Sequence, residues 1–519
     1  MKGEFTVKLP EMEEAIKFQL IVPPNYPLDK CVFTPDGIKY YSHQYISHAI
    51  CLPKIKDDNP EKKFKEELKN IIVWIRKYYL TNSKDERYEY LLFERKCSSI
   101  IYFTDIEKTF DINEHGFFRY SYFPSTINTL EGQIRHQQPL MLLQCFIDAT
   151  RKNKIFPKIS YSKHYQKNGI KWGIWFYLGK EPVIKRRQVI TNFNQLKEML
   201  TESNLIFLNK FFSNKLSEKK NIWVMIGYPI PTISNTTENH WELLKISRCY
   251  FQPRIKNINK KTKIENFPLQ WGNSMNMSYD RFFGRGKLSS KLIDKNIIII
   301  GIGAIGSLLA EILVRVGAKK LTLIDPDIIQ HGNICRSLYN FSDVILRKVS
   351  ALSAHLYKIS PFVEITTELS MPKLMPQQNG FEEKRKYLLQ FDWIFDCSAE
   401  SELAYMFDNM QLPTKVINFS ISNQAKEFVG VVGGKGCYIV DTKSKIFKKL
   451  HSEPAHFYEG TGCFSSTFEA SYVDIHLLLN YAMKNINYRL ENDKIFATFI
   501  ISAQKTKNGE TIKLNWKEY

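Results

Sequence analysis

The chain has 519 residues, enough for three or four domains at about 150 residues each. Hydrophobic residues make up 44% and charged residues 24%, which excludes a mostly disordered or collagen-like chain. Lys and Arg number 73 against 53 Asp and Glu, a net charge of +20 that invites a polyanion-binding reading. The excess is uneven: residues 1–290 hold 46 basic and 29 acidic residues, whereas residues 291–519 hold 27 and 24. Nine cysteines stand at positions 31, 51, 97, 145, 249, 335, 397, 437 and 463. The odd count and the lack of any CxxC pair argue against a disulfide framework or a four-cysteine zinc site. With no apolar signal core at MKGEFTVKLPEMEE, the expected setting is reducing and cytoplasmic.

In chain order, Phe5–Leu9 and Ile16–Val22 are β-rich runs, the second stopped by Pro23, Pro24 and Pro27. Phe64, Leu68, Ile71, Ile72 and Ile75 recur at helical spacing and predict a helix from Phe64 to Tyr79. Between residues 100 and 270, Ile170–Leu178 and Ile222–Ile226 read as strands, and Pro139–Ala149 and Phe193–Leu200 as helices. The basic runs there, Lys185-Arg186-Arg187 and Arg254 to Lys263, come without a stacking motif. They read as a solvated basic face, the alternative being a polyanion or acidic-partner surface, and no specific nucleic-acid partner is expected. From residue 271 onward strands and helices alternate: Ile297–Ile300, Ser307–Val316, Leu321–Ile324, a helix near Arg347–Ile359, then Trp393–Asp396 and Val416–Ser420. That alternation predicts βαβ units and a mainly parallel sheet. The apolar run Ile297–Val314 is interrupted by Gly301, Gly303, Gly306 and Glu311, so it reads as a buried strand–turn–helix and not as a membrane span.

The segment IIIIGIGAIGSLLAEILVRVGAKKLTLIDPD, residues 297–327, is the most informative. Gly301, Gly303 and Gly306 form GxGxxG after a strand and before a helix, where backbone and helix N-terminus can receive phosphates. Asp325 closes the next strand about 20 residues on, where it can hold a ribose hydroxyl. Taken alone this says only nucleotide, and an NAD oxidoreductase has the same arrangement. Asp327, then Asn333-Ile334-Cys335-Arg336 and Lys348, favour a triphosphate, because Arg336 and Lys348 can neutralise the charge that develops as pyrophosphate leaves. The alternative is an ordinary surface Arg and Lys with an Asn in a turn.

Over residues 278–475 the order of these motifs resembles the ThiF/MoeB/ubiquitin-activating superfamily of adenylating enzymes, beginning with Tyr279-Asp280-Arg281 and Gly284-Arg-Gly-Lys-Leu. The resemblance implies a Rossmann-like adenylation domain in which Asp325, Asn333, Arg336 and Lys348 bind and activate ATP. It also implies that Arg281 reaches across a homodimer interface. The family usually carries an Asp-Asn pair after the next strand, its Asp helping to hold Mg2+. Here the residues are Asp396-Cys397-Ser398-Ala399-Glu400. Ala399 falls at the position of that Asp, leaving Asp396 as the expected metal ligand, with Glu400 as the other carboxylate.

Two cysteines suit acyl transfer. Cys463 lies in Gly460-Thr-Gly-Cys463-Phe-Ser-Ser-Thr467, a small-residue turn before a helix. A thiolate there can take an acyl group from an acyl-adenylate, or the residue can be a packing cysteine. Near the N-terminus, Tyr26-Pro27, His43-Gln44-Tyr45, Ile50-Cys51-Leu52 and a helix with Trp74 follow one another. That order resembles the ubiquitin-conjugating fold, with Cys51 at the transthiolation position; the alternative is a strand-end cysteine. Gln44-Tyr45 replaces the usual Pro-Asn, so the oxyanion donor must come from elsewhere, His48 being one option. The first helix of that fold is not read before Phe5.

The expected architecture is α/β: an α+β conjugating-like domain at 1–100, an α/β middle domain at 101–270 in the position of a degenerate adenylation domain, and a ThiF-like domain at 271–519. The combination resembles the activating–conjugating fusions of bacterial CBASS antiphage systems. That resemblance implies ATP-dependent activation of a protein C-terminal carboxylate, a thioester on Cys463, transfer to Cys51 and delivery to an amine. The activated protein would be a cyclic-nucleotide synthase or a ubiquitin-like protein. A sulfur-carrier or small-molecule adenylyltransferase with an inert N-terminal module is the other adenylating possibility.

Overall fold

The computed structural model describes residues 1–45, 47–81, 83, 91–92, 99–123, 140–166, 169–179, 188–213, 221–232, 236–247, 269–369, 380–450, 457–458, 467–506 and 511–519. Two compact units emerge, residues 1–160 with 166–278, and residues 161–165 with 279–519.

The first unit begins with an antiparallel meander of β1 (Lys2–Val7), β2 (Ile16–Ile21) and β3 (Val32–Pro35). Helix α1 (Pro60–Trp74) follows, with Pro60 at its first position and the Asn59 side chain capping the Lys62 N–H. Its buried stripe is Lys63, Glu67, Ile71 and Trp74. Ile71 and Trp74 belong to the apolar core that also holds Phe18, Phe33 and Ile50. The two charged members are matched internally: the Lys63 ammonium donates to the Pro27 and Asp29 carbonyls, and the Glu67 carboxylate accepts from the Cys31 N–H. Beside that carboxylate, burial pushes the Cys31 thiol up to about 12.

The rest of this unit is a mixed nine-stranded sheet and a short parallel pair, β4 (Leu91–Leu92) with β10 (Gln188–Val189). The large sheet comprises β5 (Ile100–Phe103), β6 (His115–Phe123), β7 (Leu140–Asp148), β8 (Lys154–Ile155), β9 (Ile170–Tyr177), β11 (Asn221–Pro231), β12 (Thr237–Ser247), β13 (Gln270–Trp271) and β14 (Asn273–Asn276). Its order is β13-β12-β11-β9-β6-β7-β5-β14, with β8 on β7. Two helices, α2 (Phe193–Lys197) and α3 (Glu202–Ser213), contribute to one core, and aromatic residues such as Phe110, Trp175 and Trp241 fill another. The helix expected at Pro139–Ala149 is the strand β7. It is hydrogen-bonded between β6 and β5, and Met141 to Ile147 are all buried. An apolar run broken only by Gln144 has no clear period, and burial on both faces suits a strand as well as a helix.

The second unit carries an eight-stranded sheet: β15 (Asn296–Ile300), β16 (Lys320–Ile324), β17 (Glu364–Glu368), β18 (Trp393–Asp396), β19 (Lys415–Ser422), β20 (Glu427–Gly433), β23 (Phe499–Lys505) and β24 (Ile512–Glu518). The short pair β21 (Phe457–Tyr458) and β22 (Thr467–Phe468) stands apart. The order β17-β16-β15-β18-β19 is parallel, and β20, β23 and β24 extend it antiparallel. The helices are α4 (Tyr279–Phe283), α5 (Ser290–Ile293), α6 (Ala304–Arg315), α7 (Lys348–Ile359), α8 (Gly380–Leu388), α9 (Ser401–Met410), α10 (Ile439–Lys449) and α11 (Tyr472–Glu491). Ile297 and Ile299 feed one core and Ile298 and Ile300 the other, so both faces of β15 are covered. This is the mainly parallel α/β arrangement expected for the segment. Strand order reverses direction at β15, between β16 and β18, and such a switch point leaves a crevice at the carboxyl ends of the strands. No described helix is long and apolar enough to cross a membrane.

Candidate active site

At that switch point β15 ends and α6 begins within four residues. Gly301 adopts φ +78, donates its N–H to the Ile324 carbonyl, and has no room for a Cβ beside the backbone of Cys397 and Ser398. Gly306 lies so close to the Gly301 carbonyl that any side chain would overlap it. These two positions need glycine for different reasons, a left-handed turn and a close helix–strand approach. Gly303, at the N-cap of α6, is open: a Cβ there meets nothing within 4 Å among the described residues.

The opening is a cavity of about 410 Å³. Gly301 and Gly303 floor it, Asp325, Asp327 and Lys348 supply charge, and Ile300, Ile324, Leu403 and Met406 supply apolar wall. Asp325 is 4% exposed and accepts from the backbone N–H of Ile302 and of Asp327, both at 2.9 Å. Lys348, first residue of α7, reaches Asp327 at 2.7 Å and Asp325 at 3.4 Å. A nucleoside phosphate fits this set: carboxylate at the strand end, open glycine backbone and helix N-terminus, and a cation on the wall.

Asn333 and Arg336 sit on the 3-10 turn His331–Arg336 and do not line the cavity. The Asn333 side chain accepts from the Gln330 N–H at 3.0 Å. Just beyond the turn the chain is pinned toward the glycine segment, because the Ser307 hydroxyl accepts from the Leu338 N–H and the Tyr339 hydroxyl donates to the Ile302 carbonyl. Burial, reinforced by Asp325, raises the Tyr339 phenol far above its ordinary range. Arg281 is exposed on the five-residue helix α4.

Asp396 has no exposed surface and does not line the cavity. One oxygen accepts from the Ser398 N–H and hydroxyl, and the other from the Asn418 amide at 2.7 Å. Burial raises its carboxyl, an effect that those hydrogen bonds and Lys443 oppose. So placed, Asp396 does not fit a metal ligand; it ties the turn after β18 to β19. Ala399 follows at φ +62 and delivers Glu400 to the N-cap of α9 and to the cavity wall. Among the described residues, no three His, Cys, Asp or Glu side chains cluster as a metal site.

The composition of the α9 wall was not foreseen. Glu402, Leu403 and Met406 line the cavity with Cys397. The helical spacing of the first three, directly after the 396–400 turn, is the signal that could have found them. Cys397 is no ready nucleophile, since burial and neighbouring Asp396 hold its thiol well above the ordinary range.

In the first unit, Cys51 is half-buried and donates its N–H to the His43 carbonyl. Its sulfur lies 3.2 Å from the Tyr45 hydroxyl, and the Lys30 ammonium donates to that hydroxyl at 3.1 Å. His48, expected as a possible donor, packs its ring against Tyr40, and its buried Nδ1 finds no hydrogen-bond partner among the described residues. Cys463 and the basic runs 185–187 and 254–263 lie outside the described residues.

Residues 273–453 match the ThiF family, overlapping most of the segment 278–475 that carries the motifs. The chain is 23% identical over 364 residues to the ATP-dependent ubiquitin transferase-like protein Cap2 of Enterobacter hormaechei subsp. hoffmannii, covering 65% of this chain and 59% of that protein. A stretch of 77 residues is 39% identical to Ubiquitin-like modifier-activating enzyme 5 of Drosophila sechellia, covering 15% of this chain and 19% of that one. Among solved structures, a crystal structure of E. coli MccB with ATP aligns at 17% identity and TM-score 0.31, over 44% of this chain and 65% of that one. The chain thus spans about three-fifths of the length of the Enterobacter relative.

Proposed function

We propose that this chain is an ATP-dependent adenylyltransferase of the ubiquitin-activating kind, joined to a conjugating-like transfer module. The observation that carries the proposal is the single cavity wall holding Gly301, Gly303, Asp325, Asp327 and Lys348. ATP is the substrate of this site. The open backbone at Gly303 and the α6 N-terminus receive its phosphates, and Asp325 holds its ribose. Lys348 stands between two carboxylates and exchanges one of them for phosphate oxygen, stabilising charge on the departing pyrophosphate. Asn333 and Arg336, on the neighbouring 3-10 turn, join from that side, and Arg281 serves a homodimer. The ThiF match and the names of the relatives support this reading.

The reacting group is the C-terminal carboxylate of a protein. Its oxygen attacks the α-phosphorus, pyrophosphate leaves, and the thiolate of Cys463 displaces AMP to form a thioester. Cys51 accepts the acyl group by transthiolation and passes it to an amine. Residues 1–100 are the conjugating-like module, 101–270 the middle module and 271–519 the activating module. A cyclic-nucleotide synthase or a ubiquitin-like protein is the substrate class proposed, in antiphage defence. The basic excess of residues 1–290 steers an acidic partner face by an attraction that weakens in salt.

The test is adduct formation on non-reducing gels with ATP and each class of protein. Cys463→Ala is expected to abolish the thiol-reducible adduct while ATP–pyrophosphate exchange continues. Cys51→Ala is expected to preserve the Cys463 adduct and block delivery to the amine. An undiminished adduct in Cys463→Ala overturns the thioester scheme.

A further inference from the structure

The geometry points to Tyr45 as the catalytic hydroxyl that serves the sulfur of Cys51, with Lys30 as the positioning residue that holds it there; this rests on the reading of Cys51 as the transfer cysteine. Three side chains from two segments meet. The Cys51 thiol donates to the Tyr45 oxygen at 3.2 Å, and Lys30 donates to the same oxygen at 3.1 Å. Lys30 is fixed by a second bond to the Leu52 carbonyl at 3.1 Å, and its ammonium stands 5.4 Å from the centre of the Tyr45 ring. Backbone hydrogen bonds tie the described residues from His43 to Cys51 together: Tyr45 N–H donates to the Ala49 carbonyl, His48 N–H to the Tyr45 carbonyl, and Cys51 N–H to the His43 carbonyl. Tyr45 is 44% exposed, so an acyl group and an amine can reach its hydroxyl.

The neighbouring Gln44 has the opposite role. It is 1% exposed, its amide donates to the Ile38 and His48 carbonyls, and its oxygen accepts from the Tyr41 N–H. Gln44 therefore builds the loop and Tyr45 faces the sulfur.

With thiol and ammonium both donating to it, the phenolic oxygen accepts through its two lone pairs and still carries one hydrogen to donate. Once Cys51 carries a thioester, its S–H is gone and the Tyr45 O–H can donate to the acyl oxygen. The amine then attacks the carbonyl carbon, an N–C bond forms, and the carbonyl electron pair moves to oxygen. Collapse of that oxyanion breaks the C–S bond and leaves the electron pair on sulfur. Tyr45 donates first to the oxyanion and then to the thiolate, and the amine proton passes to water. The fixed positive charge of Lys30 favours both anions.

Two measurements on the full chain test this. The first is the rate of iodoacetamide alkylation of Cys51 at pH 7, read by peptide mass, which needs no knowledge of the protein substrate. Tyr45→Phe and Lys30→Met are each expected to slow it about tenfold, and Lys30→Arg to restore most of the rate, because the first removes the hydroxyl that meets the sulfur and the second the cation that holds that hydroxyl in place. The second is single-turnover discharge of the Cys51 thioester to free lysine. Tyr45→Phe is expected to slow discharge about 10²-fold with loading unchanged. Parental alkylation and discharge rates in a folded Tyr45→Phe overturn the proposal. Should Cys51→Ala leave delivery to the amine intact, the transfer reading itself fails, a result distinct from any effect on alkylation.

Discussion

Replacing Lys348 by methionine removes a charge and keeps most of the side-chain volume. In the parent chain this ammonium bridges Asp327 at 2.7 Å and Asp325 at 3.4 Å, and its side chain is 10% exposed. Asp327 is 64% exposed, and solvent screening leaves its pair with Lys348 a small share of the stability. Asp325 is nearly buried, yet it keeps two backbone N–H donors, so losing the cation costs about 1–2 kcal/mol of folding stability. For a unit of this size that is a fall in Tm of about 2–8 °C. The effect on ATP is separate: one charge-assisted hydrogen bond to phosphate is worth about 1.5–3 kcal/mol. At about 1.36 kcal/mol per decade this is a loss of about 10- to 150-fold in affinity. Calorimetric titration with ATP and a thermal melt measure the two effects on one sample. A variant that melts lower but binds ATP within threefold of the parent would show that Lys348 is structural and does not meet phosphate.

Gly301→Ala is expected to lose about 2–4 kcal/mol by denaturant unfolding, because φ +78 and the Ser398 backbone both oppose a Cβ. Gly303→Ala, whose Cβ meets nothing among the described residues, should cost less stability while weakening ATP binding; equal losses of stability would contradict the geometry. Asp396 has a raised carboxyl in the fold, so between the ordinary carboxylate range and that raised value the folded state binds more protons than the unfolded state. Stability from this group therefore falls as pH rises through that window. The stability margin of the parent over Asp396→Asn should be larger at pH 4 than at pH 7 in urea melts, and a margin that grows with pH refutes the sign. Iodoacetamide mapping should label the exposed Cys335 and Cys437 before the buried Cys31 and Cys145, whose thiols burial holds up; simultaneous labelling would contradict that burial.

The legible parts of the sequence were those where one residue type has one use. Four isoleucines followed by GxGxxG predicted β15, its turn and α6, because only glycine satisfies both the Gly301 conformation and the Gly306 approach. Asp325 and Lys348 were likewise found at the cavity, their spacing from the glycines being fixed by one βα crossover and one loop. Residues with several uses were less legible. Asp396 ends a strand like Asp325, but its oxygens turn to Ser398 and Asn418 instead of the cavity, and that choice depends on a neighbouring strand 22 residues away. The apolar run of β7 carried no period. Tyr45 was read as a departure from a motif, and only the fold brings Lys30, 15 residues distant, to its hydroxyl.

The most direct measurement of the central claim is isotope exchange between pyrophosphate and ATP in the full chain, with a cyclic-nucleotide synthase and a ubiquitin-like protein supplied in turn as the carboxylate. Adenylation predicts label entering ATP only when one of these proteins is present with an intact C-terminus, and its loss in Lys348→Met. No exchange with either protein, together with binding of NAD in preference to ATP, would contradict it.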